Sequence, residues 1–158
     1  MKHDHRRRLD GAGRERGAGF AGAGADIQFI ERVQALLLVR GVDTWVFGGW
    51  GEELRGLIEP REHVDLDLLY PAESWDCVDI LSLDWVAGKR FPWKRAFMLD
   101  GIMVELFLVR RDEHGWYTRL ARRMHRWPDN VLATNGRLRV ASTAALASYR
   151  HSYRVDAA

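Results

Sequence analysis

Apolar and polar residues alternate along the chain in patterns that predict helices and short strands in turn. From Asp26 to Gly41, apolar residues recur at helical spacing, behind an aspartate suited to cap a helix and up to a glycine that would end it. The apolar run 44–49, TWVFGG, predicts a buried strand that enters a tight turn. Residues 51–57, GEELRGL, predict a short helix that begins where the glycines end, before the break at Pro60.

Residues 63–70, HVDLDLLY, alternate strictly and therefore predict a strand with two different faces. Three apolar residues would share one face and three polar residues the other: Val64, Leu66 and Leu68 against His63, Asp65 and Asp67. Helical spacing returns over 71–83. The β-rich runs 93–99 and 101–109 meet at Asp100-Gly101, a pair favoured in hairpin turns.

The carboxy-terminal part of the chain predicts a helix, a strand and a second helix. Residues 115–130 are ambiguous, but their apolar spacing suits a helix ended by Pro128. The run 137–142 predicts a short strand, and 142–153 predicts a final helix with Ser142 as its N-cap. This order of elements indicates an α/β or α+β fold, with a small mixed β-sheet and flanking helices.

Composition favours one soluble domain over residues 26–158. A chain of 158 residues, 47% of them hydrophobic and seven of them tryptophan, can bury one sizeable core. No apolar run approaches the roughly 20 residues of a membrane helix. The single cysteine, Cys77, cannot form an internal disulfide, and no secretion signal begins the chain, so we expect a cytoplasmic protein.

The net charge of +2 hides an uneven distribution. Residues 1–25 carry six Lys or Arg against three acids and hold six of the 15 glycines, which predicts a flexible basic tail. A nucleic-acid-binding arm around 6–8 is the alternative. It would need a basic face on the folded part, whose charge is −1. Nucleic acid is therefore not the expected partner.

Asp65 and Asp67 are candidate metal ligands. Residues i and i+2 of a strand point the same way, about 6.5 to 7 Å apart, so the two carboxylates can converge on small cations. Mg²⁺ prefers such oxygen ligands and keeps positions open for substrate phosphates. The ordinary alternative is a strand whose acidic face is exposed to water.

Glu105 strengthens the metal hypothesis because it interrupts the apolar run IMVELFLV. A buried ionisable group is costly unless it is paired or bound to metal. If this strand neighbours the Asp65 strand, three carboxylates meet on one face. The alternative is that the face is exposed, or that Glu105 pairs with Lys94 or Arg95 across the hairpin.

The pair Gly48-Gly49 supplies a second candidate feature. Glycines tolerate positive φ and lack side chains, so their backbone N–H groups can approach a phosphate closely, with the start of a helix adding positive partial charge. The order of the elements is more specific than the pair alone: strand, glycines, short helix, then a strand with paired acids.

These residues resemble the nucleotidyltransferase superfamily of the DNA polymerase β type, and most closely its small bacterial lincosamide and aminoglycoside nucleotidyltransferases. The resemblance lies in GGWG at 48–51, LRG at 54–56 and PREHVDLDL at 60–68, followed by a later acid at Glu105. Two positions depart from the usual pattern, since Glu53 and Glu105 stand where family members commonly have aspartate.

The resemblance implies a polymerase β-like fold and transfer of NMP, most often AMP, from a nucleoside triphosphate such as ATP to a hydroxyl. It implies that Asp65, Asp67 and Glu105 are catalytic and bind two Mg²⁺ ions, with Glu105 as a metal ligand or base. Four residues would contact nucleotide: Gly48, Gly49, Arg61 and His63. His63 would contact phosphate, orient a carboxylate or only cap the strand, and Trp50 would anchor the loop in the core or stack on substrate.

The resemblance implies a small-molecule acceptor of the aminoglycoside or lincosamide antibiotic kind, in a site that is small or shared across a homodimer. No membrane partner is expected. Two other functions stay open at this point. One is a toxin-like or regulatory transferase that modifies RNA or protein. The other is a degenerate member that binds nucleotide without catalysis, against which the three retained carboxylates argue.

Overall fold

A computed structural model describes residues 26–157, with side chains as far as residue 152. The expected tail, residues 1–25, lies outside the described residues. The described elements follow in chain order: α1 (Ile27–Leu38), β1 (Trp45–Phe47), α2 (Gly48–Leu54), β2 (Asp65–Pro71), α3 (Asp76–Asp79), β3 (Asp84–Trp85), a 3-10 turn (Ala87–Lys89), β4 (Lys94–Leu99), β5 (Ile102–Asp112), β6 (Gly115–Arg119), β7 (Met124–Arg126), β8 (Leu132–Asn135), β9 (Leu138–Ala141) and α4 (Thr143–Ala157).

The strands of this region form a mixed sheet, which confirms the expected fold class. Seven strands run in the order β3-β4-β5-β2-β1-β9-β8, and β6 pairs with β5 and with β7. The β2–β5 and β1–β9 pairs are parallel and the other pairs antiparallel. The strand with the two aspartates is therefore central and has the glutamate strand as its neighbour.

Helices cover both faces of the sheet, and each face has its own apolar core. On one face, α1 packs its buried residues against the inward side chains of β2, including Leu66 and Leu68. On the other face, α4 packs Leu146 against a cluster that includes Phe47 and Leu69. Because side chains alternate along a strand, Asp65 and Asp67 belong to the second face, beside Leu69.

Several local predictions are confirmed. Asp26 caps α1 by accepting a hydrogen bond from the Phe29 amide at 2.7 Å, and Ser142 Oγ accepts one from the Ala145 amide at 3.1 Å at the start of α4. The β4–β5 hairpin turns at Asp100 and Gly101, whose φ angles of 51° and 76° are those of the expected turn.

One predicted helix, 71–83, is far too long, and another, 115–130, is wrong. The segment 71–83 contains only the single turn α3, because Pro71 completes β2 and the Trp75 indole is tied to the Pro92 carbonyl at 2.9 Å. The segment 115–130 forms β6 and β7 instead of a helix. The Thr118 hydroxyl of β6 is held from both sides. It donates a hydrogen bond to Leu108 O on β5 and accepts one from the Trp127 indole, just after β7.

Smaller corrections concern the ends of elements. The helix after β1 begins at Gly48 itself and includes both glycines, whereas the sequence predicted a start after them. The aspartate strand begins at Asp65, so Val64 is not on its buried face and is 75% exposed. Strand β8 was not predicted. No helix within residues 26–157 is long and apolar enough to cross a membrane.

Gln34 is a buried polar residue that connects α1 to the sheet. Its amide nitrogen donates to Thr44 O at 2.9 Å, just before β1, and to Arg139 O at 3.0 Å on β9. An apolar residue at this position would remove both hydrogen bonds, one of them buried and the other partly buried.

We expect Gln34→Ala to lower the free energy of unfolding by about 1–3 kcal/mol, since it removes two hydrogen bonds in a buried setting. Gln28→Ala is the matched control, because Gln28 is exposed on the same helix. Urea denaturation of both variants measures the difference. Equal stability of the two variants would show that Gln34 does not fix α1 to the sheet.

Candidate active site

The central feature of the site is a pair of carboxylates on adjacent parallel strands. Asp67 of β2 lies in register with Glu105 of β5. Neighbouring strands are about 4.8 Å apart and in-register side chains point to the same face, so the two carboxylates lie side by side. Glu105 is only 8% exposed. The predicted neighbourhood of the two strands is therefore present.

This arrangement concentrates negative charge where water is partly excluded. Burial, followed by the nearby carboxylates of Glu105 and Asp65, raises the pKa of Asp67 to about 7, while the Lys94 ammonium acts in the opposite direction. The charge of Lys94 therefore does not offset burial and the two neighbouring carboxylates, so a further cation would stabilise the ionised form of Asp67. Its donor chemistry, hard oxygen on a rigid strand, suits Mg²⁺.

Asp65 lies two residues before Asp67 on the same face, at the exposed start of β2. It is close enough for its charge to act on Asp67. Within the described part of the chain, no three His, Cys, Asp or Glu side chains are already gathered around one point as a metal site. Asp65 and Asp67 thus offer oxygen ligands from one strand, and Glu105 lies beside them with partners of its own.

Gly48 lies directly against Asp67 and leaves no room for a side chain. Its φ of 64° is one that glycine adopts freely, and a Cβ at this position would collide with Asp67 Oδ2. The backbone at the start of α2 therefore contacts the carboxylate. This close approach explains why a glycine is required here.

Gly49 lies directly against Arg61 and His63, two side chains predicted to contact nucleotide. A Cβ on Gly49 would lie 2.8 Å from Arg61 Nη2 and 3.0 Å from His63 Nδ1. Both side chains therefore pack onto the backbone of the first turn of α2, where amides have no acceptor within the helix. The predicted nucleotide ligands are brought together at one place.

Glu53 holds this group of residues in position. Its Oε1 atom accepts hydrogen bonds from the Arg61 amide at 2.8 Å and from His63 Nε2 at 3.0 Å. In the neutral ring this bond places the proton on Nε2, so Nδ1, on the Gly49 side, is an acceptor. Glu53 thus has a defined positioning role, which spacing in the sequence did not indicate.

Trp50 anchors the loop in the core. Its side chain is 7% exposed, belongs to the core beneath α1, and lies with its ring centroid 4.6 Å from that of His63. This burial supports the anchoring alternative over substrate stacking. His63, itself buried, is held between Trp50 and Glu53, so it does more than cap the strand.

The end of α2 is fixed to the rest of the sheet by Arg55. Its guanidinium donates to three backbone carbonyls, those of Thr134, Val140 and Ala141, at 2.9 to 3.1 Å. Glu52 forms an ion pair with Arg150 of α4. These contacts hold the short helix, and with it the two glycines, above the carboxylates.

The alternative partner of Glu105 is also present. Lys94 of β4 forms an ion pair with Glu105, with Nζ 2.7 Å from Oε2. Arg95 points to the other face of the sheet and pairs with Asp79 at 2.8 Å. Glu105 therefore neighbours Asp67 and is paired with Lys94 at the same time, an arrangement that the sequence did not predict.

Two cavities of the described region lie away from these carboxylates. One of about 210 Å³ is lined in part by Trp93, Leu108, Arg110 and Arg119. Another, of about 250 Å³, is lined in part by Glu73 and Trp116. None of the predicted site residues lines either cavity. The carboxylate site is formed by two strands and the start of a helix.

No protein-family model and no curated protein sequence matches the chain. Among solved structures, it is similar to the lincosamide antibiotic adenylyltransferase LnuA bound to lincomycin, with a TM-score of 0.64 and 13% identity over 82% of this chain and 89% of that one. It is also similar to ANT(2'')-Ia in complex with adenylyl-2''-tobramycin, with a TM-score of 0.58 and 18% identity over 83% and 76%. The chain therefore has a nucleotidyltransferase fold, as its motifs predicted.

We expect Gly48→Ala to lower the free energy of unfolding by about 2–4 kcal/mol, because it adds a collision with Asp67 to the strain of positive φ. Gly56→Ala is the matched control. Gly56 also has positive φ, 70°, but a Cβ there would meet nothing within 4 Å. That variant should lose only about 1–2 kcal/mol by urea denaturation.

A double-mutant comparison separates the collision from the backbone strain. In an Asp67→Ala background, Oδ2 is absent, so Gly48→Ala should be less costly than in the unaltered protein, while the cost of Gly56→Ala should not change. If Gly48→Ala costs the same in both backgrounds, the contact between Gly48 and Asp67 does not govern this position.

Proposed function

We propose that the chain is a Mg²⁺-dependent nucleotidyltransferase that moves NMP, most readily AMP, from a nucleoside triphosphate to a hydroxyl of a small molecule. The observation that carries the proposal is the in-register pair Asp67 and Glu105 beneath a glycine turn that contacts Asp67 directly. Chemistry of this kind depends on positioning and electrostatic stabilisation, for which such a rigid charged surface is suited.

Asp65 and Asp67 would hold the metal. They are consecutive outward carboxylates of one central strand, and Asp67 carries the unbalanced charge that a divalent ion would relieve. When bound, Mg²⁺ would neutralise charge on the triphosphate and polarise the phosphoryl group. The rigid strand fixes the spacing of its two ligands.

The triphosphate would lie across the start of α2. Asp67 packs against Gly48, and Arg61 and His63 pack against Gly49, so the backbone of the helix start and a guanidinium lie together. Arg61 would neutralise charge that develops on the departing pyrophosphate. His63, held by Glu53, would contact a phosphate oxygen or keep Arg61 in place.

The transfer step requires one proton acceptor and one leaving group. The acceptor hydroxyl oxygen forms a bond to the α-phosphorus, and the bond from that phosphorus to the oxygen bridging to the β-phosphate breaks. Pyrophosphate leaves with the electron pair. Glu105, next to Asp67, takes the hydroxyl proton, directly or through water.

The similar solved structures support a small acceptor with hydroxyl groups. One contains lincomycin and the other an adenylylated tobramycin. We propose an aminoglycoside or lincosamide antibiotic as the acceptor class for this chain and ATP as the donor. A protein of this kind would act on antibiotics inside the cell, where nucleoside triphosphates are available.

Asp65→Asn and Asp67→Asn should each lower the rate of pyrophosphate release by at least about 100-fold, since each removes a charged ligand from a preorganised site. The assay supplies Mg²⁺, ATP and a panel of aminoglycosides and lincosamides. Asp76→Asn is the matched control, because Asp76 is exposed at the start of α3 on the other side of the sheet.

The control variant should turn over at the rate of the unaltered protein. Unchanged rates in both strand variants would contradict the assignment of Asp65 and Asp67. Omission of Mg²⁺ should abolish activity in every variant. Turnover that persists in the presence of excess chelator would contradict the metal requirement.

A further inference from the structure

Lys94 is an ammonium group built into the carboxylate site. Its Nζ lies 2.7 Å from Glu105 Oε2, and the side chains of the two residues are only 12% and 10% exposed. The same Nζ lies 5.1 Å from the centre of the Phe107 ring. A lysine this well buried, between a carboxylate and an aromatic face, has a fixed position.

The register of the hairpin places this ammonium beside both carboxylates. Lys94 is opposite Phe107 and Ala96 is opposite Glu105, so Lys94 points to the face of the sheet that bears Glu105 and Asp67. The charge of Lys94 acts on Asp67 as well. Lys94 is thus the cation that neighbours both members of the pair.

A second lysine approaches the other oxygen of Glu105. Lys89 Nζ, in the 3-10 turn, lies 4.0 Å from Oε1, and its side chain is 45% exposed. Both carboxylate oxygens of Glu105 therefore face ammonium groups, one tightly and one loosely. A divalent ion bound to Glu105 would be placed within a few ångströms of positive charge, which Coulomb repulsion opposes.

We propose that Lys94 takes the place of a second metal ion, so that the site binds one divalent ion per nucleotide, held by Asp65 and Asp67. This inference rests on the proposed function. It replaces the two-ion expectation drawn from the family resemblance with one ion and one fixed ammonium. Glu105 is then a partner of Lys94 and the candidate proton acceptor, without a metal-ligand role.

The number of bound ions tests the inference independently of turnover. Mn²⁺ is a paramagnetic substitute for Mg²⁺, and free Mn²⁺ is counted by electron paramagnetic resonance in a titration of the protein saturated with α,β-methylene-ATP. We expect one Mn²⁺ per protein-bound nucleotide in the unaltered protein, after subtraction of the Mn²⁺ held by nucleotide that is free in solution.

Lys94→Met should bind a second Mn²⁺, with an affinity at least about tenfold higher than any second ion in the unaltered protein, because Glu105 is freed and a positive charge is removed. Lys89→Met is the matched control, since Lys89 is the loose and exposed partner, and it should still bind one. Lys94→Arg keeps the charge and should also bind one.

Glu105→Gln gives a second measurement that does not depend on folding of the Lys94 variant. If Lys94 fills the second position, this change leaves the count at one, and the double variant Lys94→Met/Glu105→Gln also returns to one. If Glu105 is a metal ligand in the unaltered protein, Glu105→Gln lowers the count from two to one.

Two ions in the unaltered protein would overturn the inference while leaving the proposed function intact. A count of one ion in both the unaltered protein and a folded Lys94→Met variant would overturn it as well. Lys94 would then not be the group that prevents a second ion from binding. No ion in the presence of the nucleotide would contradict the proposed function itself.

Discussion

The repulsion between Asp67 and Glu105 is the constraint on which the rest of the site depends. Two carboxylates side by side on parallel strands, in a partly buried setting, destabilise each other unless cations are near. Lys94 supplies one such charge from the neighbouring strand. The negative charge that Lys94 does not offset lies on Asp67, toward Asp65 and the start of α2. The proposed divalent ion and triphosphate would lie there.

Several contacts hold α2 in place beside the carboxylates. Gly48 packs on Asp67 without space for a methyl group, and Glu53 fixes the segment that bears Arg61. Arg55 ties the end of α2 to carbonyls near β8 and β9, the opposite edge of the sheet from the β4–β5 hairpin. Preorganisation of this kind keeps donors and acceptors in place before the substrate arrives, which is the larger part of catalysis by positioning.

Much of this site could be predicted from the sequence because its signals are local. Alternation in β2 places Asp65 and Asp67 on one face, and an acid within an apolar run marks Glu105 as unusual. Cross-strand register is set by the whole sheet, so the pairing of Glu105 with Lys94 could be raised only as an alternative. The wrong helix at 115–130 had helical apolar spacing by coincidence, and contacts to Thr118 and Trp127 decided the outcome. The role of Glu53 depends on a side-chain contact across eight residues, which no spacing rule indicates.

The fold is similar to that of enzymes whose solved structures contain lincomycin or an adenylylated tobramycin, and the proposed chemistry is adenylyl transfer to such an acceptor. The most direct test of that chemistry follows the phosphorus atoms. The protein is incubated with Mg²⁺ and the antibiotic panel in the presence of ATP labelled at either the α- or the γ-phosphate. Label from the α-position should appear in the antibiotic, and label from the γ-position should leave in pyrophosphate. Transfer of the γ-label to the antibiotic, or of neither label to any member of the panel, would contradict the account.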